Sequence, residues 1–104
     1  MIGKYKVVTL CGSTRFKDAF AEMKQRLTLE GCFVLDPAIY DLHGEKPKVD
    51  AATRCMLQNM FERAVDWSDS LMVINVNGYI GADTEKILEY ARKNGKHIDY
   101  LEER

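Results

Sequence analysis

The sequence predicts an α/β fold: one domain on a mainly parallel sheet of four or five strands, with helices on both faces. Three observations carry this. Short apolar runs recur without alternation at Val7-Val8-Thr9-Leu10-Cys11, Cys32-Phe33-Val34-Leu35 and Ser70-Leu71-Met72-Val73-Ile74-Asn75-Val76. Such runs suit strands buried on both faces. The segments between them have helical spacing, and Gly, Pro, Asn and Asp punctuate the junctions. Strands alternating with helices call for parallel pairing through crossovers.

The first strand leaves Cys11 through Gly12-Ser13 and feeds a helix starting near Phe16. Phe16, Phe20, Met23 and Leu27 then fall on one stripe. Ser13 or Thr14 is placed to cap that helix, Asp18 suits its first turn, and Gly31 is placed to stop it. The second strand, Cys32 to Leu35, ends at Asp36-Pro37, because proline removes a ladder donor. Ala38 to Val49 has no period and reads as a loop, either a lid over a ligand or a simple insertion.

Ala51 to Val65 is the second helix, with Asp50 as its cap and Phe61 widening its apolar face. Asp66 to Asp69 leads into the third strand, Ser70 to Val76. Asn77 to Gly81 is a turn-rich loop, and Asp83 or Thr84 caps a third helix that Asn94-Gly95 stops. Lys96 to Leu101 alternates polar and apolar, as an edge strand does.

At 104 residues the chain is long enough to bury roughly 65% of its unfolded surface. A net charge of −1 with scattered basic residues excludes the footprint of a nucleic-acid polymer binder. No run approaches the ~20 apolar residues of a membrane span, and no signal-peptide core follows Met1-Ile2-Gly3-Lys4, so a cytoplasmic setting is expected. Cys11, Cys32 and Cys55 are an odd number and lack zinc spacing, as do the isolated His43 and His97. Neither a disulfide framework, a metal nor another cofactor is expected.

Ligands of parallel sheets sit beyond the carboxyl ends of the strands. Three loops meet there: Cys11 to Arg15, Asp36 to Val49, and Asn75 to Thr84. In the first, a strand enters a helix through Gly12-Ser13, so helix N–H groups and the helix dipole favour an anion. Arg15 adds a planar fork of donors suited to phosphate or carboxylate. The turn contains neither G-x-x-x-x-G-K-[ST] nor G-x-G-x-x-G. A cysteine-phosphatase loop needs five residues between Cys and Arg, and only three separate Cys11 from Arg15. Gly12, Ser13 and Arg15, with Asn75, Gly78, Tyr79, Asp83 and Thr84 from the third loop, are the candidate ligand-binding residues.

With Leu10-Cys11-Gly12-Ser13-Thr14-Arg15-Phe16, Val73-Ile74-Asn75-Val76, Gly78-Tyr79-Ile80-Gly81 and Glu89-Tyr90-Ala91 before Asn94-Gly95-Lys96 in view, the chain resembles a known superfamily. It is similar, nearly end to end, to the nucleoside 2-deoxyribosyltransferases and the related 2'-deoxynucleoside 5'-phosphate N-hydrolases, and closest to their small bacterial and phage-type members. The resemblance implies a flavodoxin-like, Rossmann-like fold, a homo-oligomer, and cleavage or transfer of an N-glycosidic bond. It implies that Ser13 and Arg15 contact a 5'-phosphate while Gly12 permits close approach.

That family's nucleophile is a glutamate four residues before the alanine of an E-x-x-[YF]-A pattern. Here that position is Ile87. Glu85 and Glu89 lie two positions away, about 200° around a helix. Either Glu85 is a displaced acid, or Glu85, Glu89, Arg92 and Lys93 form a solvated charge ladder. The family's aspartate, about eight residues before an Ala-Asp pair that Ser68-Asp69 matches, falls on Phe61; Glu62 and Asp66 are the nearest carboxylates. Asp66 and Asp69 equally suit helix and strand ends. Glu85, Glu62 and Asp66 are therefore the candidate catalytic residues. The alternative is a nucleotide-binding module that does not cut its ligand, with Tyr79 or Tyr40 stacking on a base. A partner-binding role through Phe61, Trp67 and Met72 has too scattered a set of residues behind it.

Overall fold

The computed structural model describes residues 1–39 and 46–103. Strands β1 (Val7–Gly12), β2 (Phe33–Leu35), β3 (Ser70–Ile74) and β4 (His97–Tyr100) alternate with helices α1 (Lys17–Leu29), α2 (Ala51–Trp67) and α3 (Ala82–Lys93). All strand pairs are parallel, and the order across the four-stranded sheet is β2-β1-β3-β4. This is an α/β domain of flavodoxin-like or Rossmann-like type, with β4 at an edge.

Alternation along β1 and β3 divides the core in two. Val8, Leu10 and Ile74 face α1 and bury Phe20, Met23 and Leu27. Cys11, Leu71 and Val73 face the other way, against Val65 of α2 and Ile87, Leu88 and Ala91 of α3. Phe20, Leu10, Leu71 and Leu88 are each 0% exposed. Burial on that scale contributes about 1.5–3 kcal/mol per large apolar side chain. Phe61 packs inward on the second cluster, whereas Met56, Met60 and Trp67 of the same helix remain exposed.

The helix ends follow from local chemistry. Asp50 caps α2, its carboxylate accepting from Thr53 N–H at 2.8 Å. Gly31, at φ +88°, turns the chain out of α1 while Cys32 N–H returns to the Leu27 carbonyl at 2.9 Å.

Several boundaries differ from expectation. α1 begins at Lys17 after Phe16 with no side-chain cap bond, so neither Ser13 nor Thr14 caps it. β2 begins at Phe33, and β4 spans only His97–Tyr100. α3 is capped by Gly81, so Asp83 and Thr84 lie inside its first turn and are not its caps. Extended backbone at Gly81 lets the helix begin at Ala82, earlier than expected and before either side chain is needed. β3 stops at Ile74, because Asn75 leaves the ladder to pair with Glu102. α2 continues to Trp67, closing where Ser68 N–H meets the Val65 carbonyl at 3.0 Å. Of the loop expected over Ala38 to Val49, residues 38, 39 and 46–49 lie in neither helix nor strand, while residues 40–45, with Tyr40 and His43, lie outside the described residues. No helix among the described residues is long and apolar enough to cross a membrane.

Candidate functional site

The site is organised by Gly12. Its φ is +147°, and a Cβ there would meet the Ile74 carbonyl oxygen at 2.6 Å. Only glycine lets the end of β1 lie this close to β3 and still turn into the next helix. Ser13 then caps a single 3-10 turn, Thr14–Phe16, that leads into α1. Ser13 Oγ accepts Arg15 N–H at 3.4 Å and Arg15 Nε–H at 3.1 Å, and the Ser13 carbonyl accepts Phe16 N–H at 3.1 Å.

Arg15 is exposed, but its place is defined. The guanidinium carbon lies 4.4 Å from the centroid of the Tyr79 ring, and Nη2 donates to the Tyr79 hydroxyl at 3.4 Å. Phe16 meets the same ring edge-on, with centroids 6.1 Å apart. A cation over an aromatic face is favourable by about 0.5–1 kcal/mol at exposed sites. The contact joins the first loop to the third across the gap between β1 and β3.

The third loop is held from behind. Asn75 is 1% exposed, and its amide pairs in both directions with the Glu102 backbone, at 2.9 Å as donor and 2.8 Å as acceptor. The Glu102 carboxylate also accepts Asn77 N–H at 2.8 Å. Asn77 stands in the left-handed region at φ 57°, and Gly78 completes the bend that delivers Tyr79. Asn75 is thus a structural anchor of the loop. Its sequence signal, a polar residue ending an apolar strand, is the same for either role.

The other predicted residues separate into two groups. Asp83 and Thr84 stay at the carboxyl edge. Asp83 forms an exposed pair with Lys46 at 3.6 Å, and Thr84 is buried in the first turn of α3. Glu85 lies on that turn as well, and its carboxylate is 3.9 Å from Arg92. Ile87, at the position the family fills with glutamate, is 3% exposed in the core cluster.

Glu62 and Asp66 do not join this group. α2 runs from the carboxyl edge back to the amino edge, and Glu62 lies eleven positions beyond Ala51, about 17 Å along the axis. There it receives Gln58 Nε2 at 3.4 Å. Asp66 is at the far end of the sheet, separated from the first turn by the five residues of β3, about 17 Å. Arg63 Nε and the Tyr90 hydroxyl donate to it at 2.8 and 2.6 Å. The Tyr90 hydroxyl first, then Arg63, hold its carboxyl below the usual aspartate range. Asp66 therefore joins the end of α2 to the end of α3.

Cys11 is 1% exposed in the core, and burial pushes its thiol up to about 12. A thiol held in that state is no nucleophile at neutral pH.

Two carboxylates at the carboxyl edge were not among the predicted residues: Glu102, which holds the third loop, and Asp36. Asp36 immediately follows β2 and is half-buried, and its Oδ1 is buried without a hydrogen-bond partner. Burial pushes its carboxyl up, against the opposing effects of Lys24 and the Ala38 N–H. The sequence signal was an acidic residue at a strand end; standing before Pro37, it read as a strand stop.

Comparison with protein-family models, with curated proteins and with solved structures gives no match. The chemistry of this edge therefore rests on its own residues: a serine-capped turn whose Arg15 and Phe16 amides already donate to Ser13, a guanidinium on an exposed ring, and a carboxylate with one unpartnered oxygen.

Proposed function

We propose that this protein binds a nucleotide at the carboxyl edge of its sheet and does not cleave it. The observation that carries the reading is Arg15, held at the first turn by Ser13 with its guanidinium lying on the exposed Tyr79 ring. A phosphate at Ser13 and Arg15 would receive charge-assisted donors. Tyr79, 41% exposed, offers a stacking face one loop away. The resemblance to nucleoside 2-deoxyribosyltransferases supports the same ligand class and self-association.

Binding is favoured over cleavage because of Ile87. An N-glycosidase of the resembled kind needs a carboxylate at the anomeric carbon. At that position this chain has an apolar side chain packed into its core. Glu85, one turn from the helix start at the same edge, is the residue on which an enzymatic reading depends.

A thermal-shift panel of nucleosides, nucleoside 5'-monophosphates and inorganic phosphate tests this. A ligand at a hundredfold excess over its Kd stabilises by about 2.7 kcal/mol, on the order of 10 °C for a domain of this size. The expected pattern is a shift with monophosphates that Arg15→Ala cuts by about half or more, with no free base released on long incubation. Base release abolished by Glu85→Ala would establish the enzyme instead. No shift with any nucleotide would end the nucleotide reading.

A further inference from the structure

Asp36 has an unmet hydrogen-bonding capacity at a place the sheet topology makes specific. Leu35 pairs with Thr9, so Asp36 stands level with Leu10 on the neighbouring strand and two residues short of Gly12. Adjacent strands are ~4.8 Å apart and each residue rises ~3.3 Å, which sets the Asp36 backbone on the order of 8 Å from the turn. This matches the distance from the 5'-phosphate of a nucleotide to the far side of its sugar.

Asp36 Oδ1 is buried and has no partner, while Ala38 N–H engages the carboxylate. A buried carboxylate oxygen without a donor is destabilising, and such groups are rare unless a ligand or water completes them. In Rossmann sheets that bind dinucleotides, a phosphate on the first strand-to-helix turn brings the ribose to the end of the second strand. There an acidic side chain accepts from its hydroxyls. β2 neighbours β1 here, and Asp36 occupies that end.

We propose that Asp36 recognises the sugar of the bound nucleotide by accepting hydrogen bonds from vicinal 2'- and 3'-hydroxyls, so that the ligand is a ribonucleotide. This rests on the nucleotide reading above and narrows it. It departs from the deoxy sugar that the resemblance implies.

The test is calorimetric titration of the full chain with the four ribonucleoside 5'-monophosphates and their four 2'-deoxy counterparts, using wild type, Asp36→Asn and Arg15→Ala. At least one ribonucleotide should bind about tenfold or more tightly than its deoxy partner, the range of one hydrogen bond to a charged group. Asp36→Asn should bring that ratio close to one with little change for the deoxynucleotide. Arg15→Ala should weaken both by a similar factor and leave the ratio intact. Equal binding of the two sugars by wild type, or a preference that survives Asp36→Asn, overturns the assignment of Asp36 and leaves the nucleotide reading standing. No binding of any of the eight overturns both. The wild-type ratio decides the ligand class whether or not a variant folds.

Discussion

At the amino end of the sheet most polar side chains bind one another, Ser70 Oγ alone among the described residues there being buried without a partner, whereas at the carboxyl end the polar contacts are fewer and longer. Asp66, Arg63 and the Tyr90 hydroxyl bind one another at 2.6 to 2.9 Å. Lys96 Nζ donates to the carbonyls of Asp66 and Ser68, at 3.2 and 2.9 Å. Ser68 and Thr9 share a hydrogen bond, and both reach the Ala64 carbonyl. At the carboxyl end, Arg15 is held by longer contacts of 3.1 and 3.4 Å, and Asp36 keeps a bare buried oxygen. Folding alone accounts for the first arrangement. The second costs stability, and the proposed ligand would complete it.

The largest effect should come from the corner that both the fold and the ligand need. Gly12→Ala would force a Cβ against the Ile74 carbonyl in a backbone region alanine avoids. A loss of roughly 3 kcal/mol is expected, read as a lower midpoint in urea unfolding. A variant as stable as wild type would show that β1 and β3 can separate without consequence.

A smaller pair of effects should divide cleanly between the two ends. Asp66→Ala should lower the melting temperature, because Arg63 and the Tyr90 hydroxyl lose their common acceptor, yet leave nucleotide affinity unchanged. Arg15→Ala should do the reverse, weakening binding about ten- to a hundredfold at nearly constant melting temperature. If Asp66→Ala reduced affinity as much as Arg15→Ala, the separation of the two ends would be lost.

The smallest effect lies in the response to acid. Tyr90 holds Asp66 low, and Val7 N–H does the same for Asp69. What these groups contribute is complete above the ordinary aspartate range, near ~3.9, and is lost as pH falls below it. Asp36 has the opposite sign: its carboxyl is raised, so the folded state takes up a proton more readily than the unfolded state. Asp36→Asn should therefore melt higher than wild type at neutral pH, and the gap should close on acidification before the general acid loss begins. A constant gap from pH 7 to pH 4 would place Asp36 in water.

The order of the four strands and three helices was legible because β1 and β3 are unbroken apolar runs and the helices have helical spacing, whereas the 3-10 turns Thr14–Phe16 and Val76–Gly78 were not read from the sequence. Gly12, Ser13 and Arg15 were legible as a turn because glycine and serine between a strand and a helix leave few alternatives. What escaped depended on partners distant in the chain. Asn75 ends its strand through Glu102, which no local pattern announces. Asp66 sits at the opposite edge because α2 runs back along the sheet, so closeness to β3 in sequence is remoteness from the site in space. Asp36 looked like punctuation before Pro37, and only its buried oxygen sets it apart.

The grip of Glu102 on Asn75 and Asn77 makes the segment after β4 a distant gauge of the loop that carries Tyr79. Its amide points at the Asn75 side chain, so the rate at which that single proton exchanges with deuterium follows how firmly the loop is seated. Ligand occupancy would then be readable from a residue that never touches the ligand.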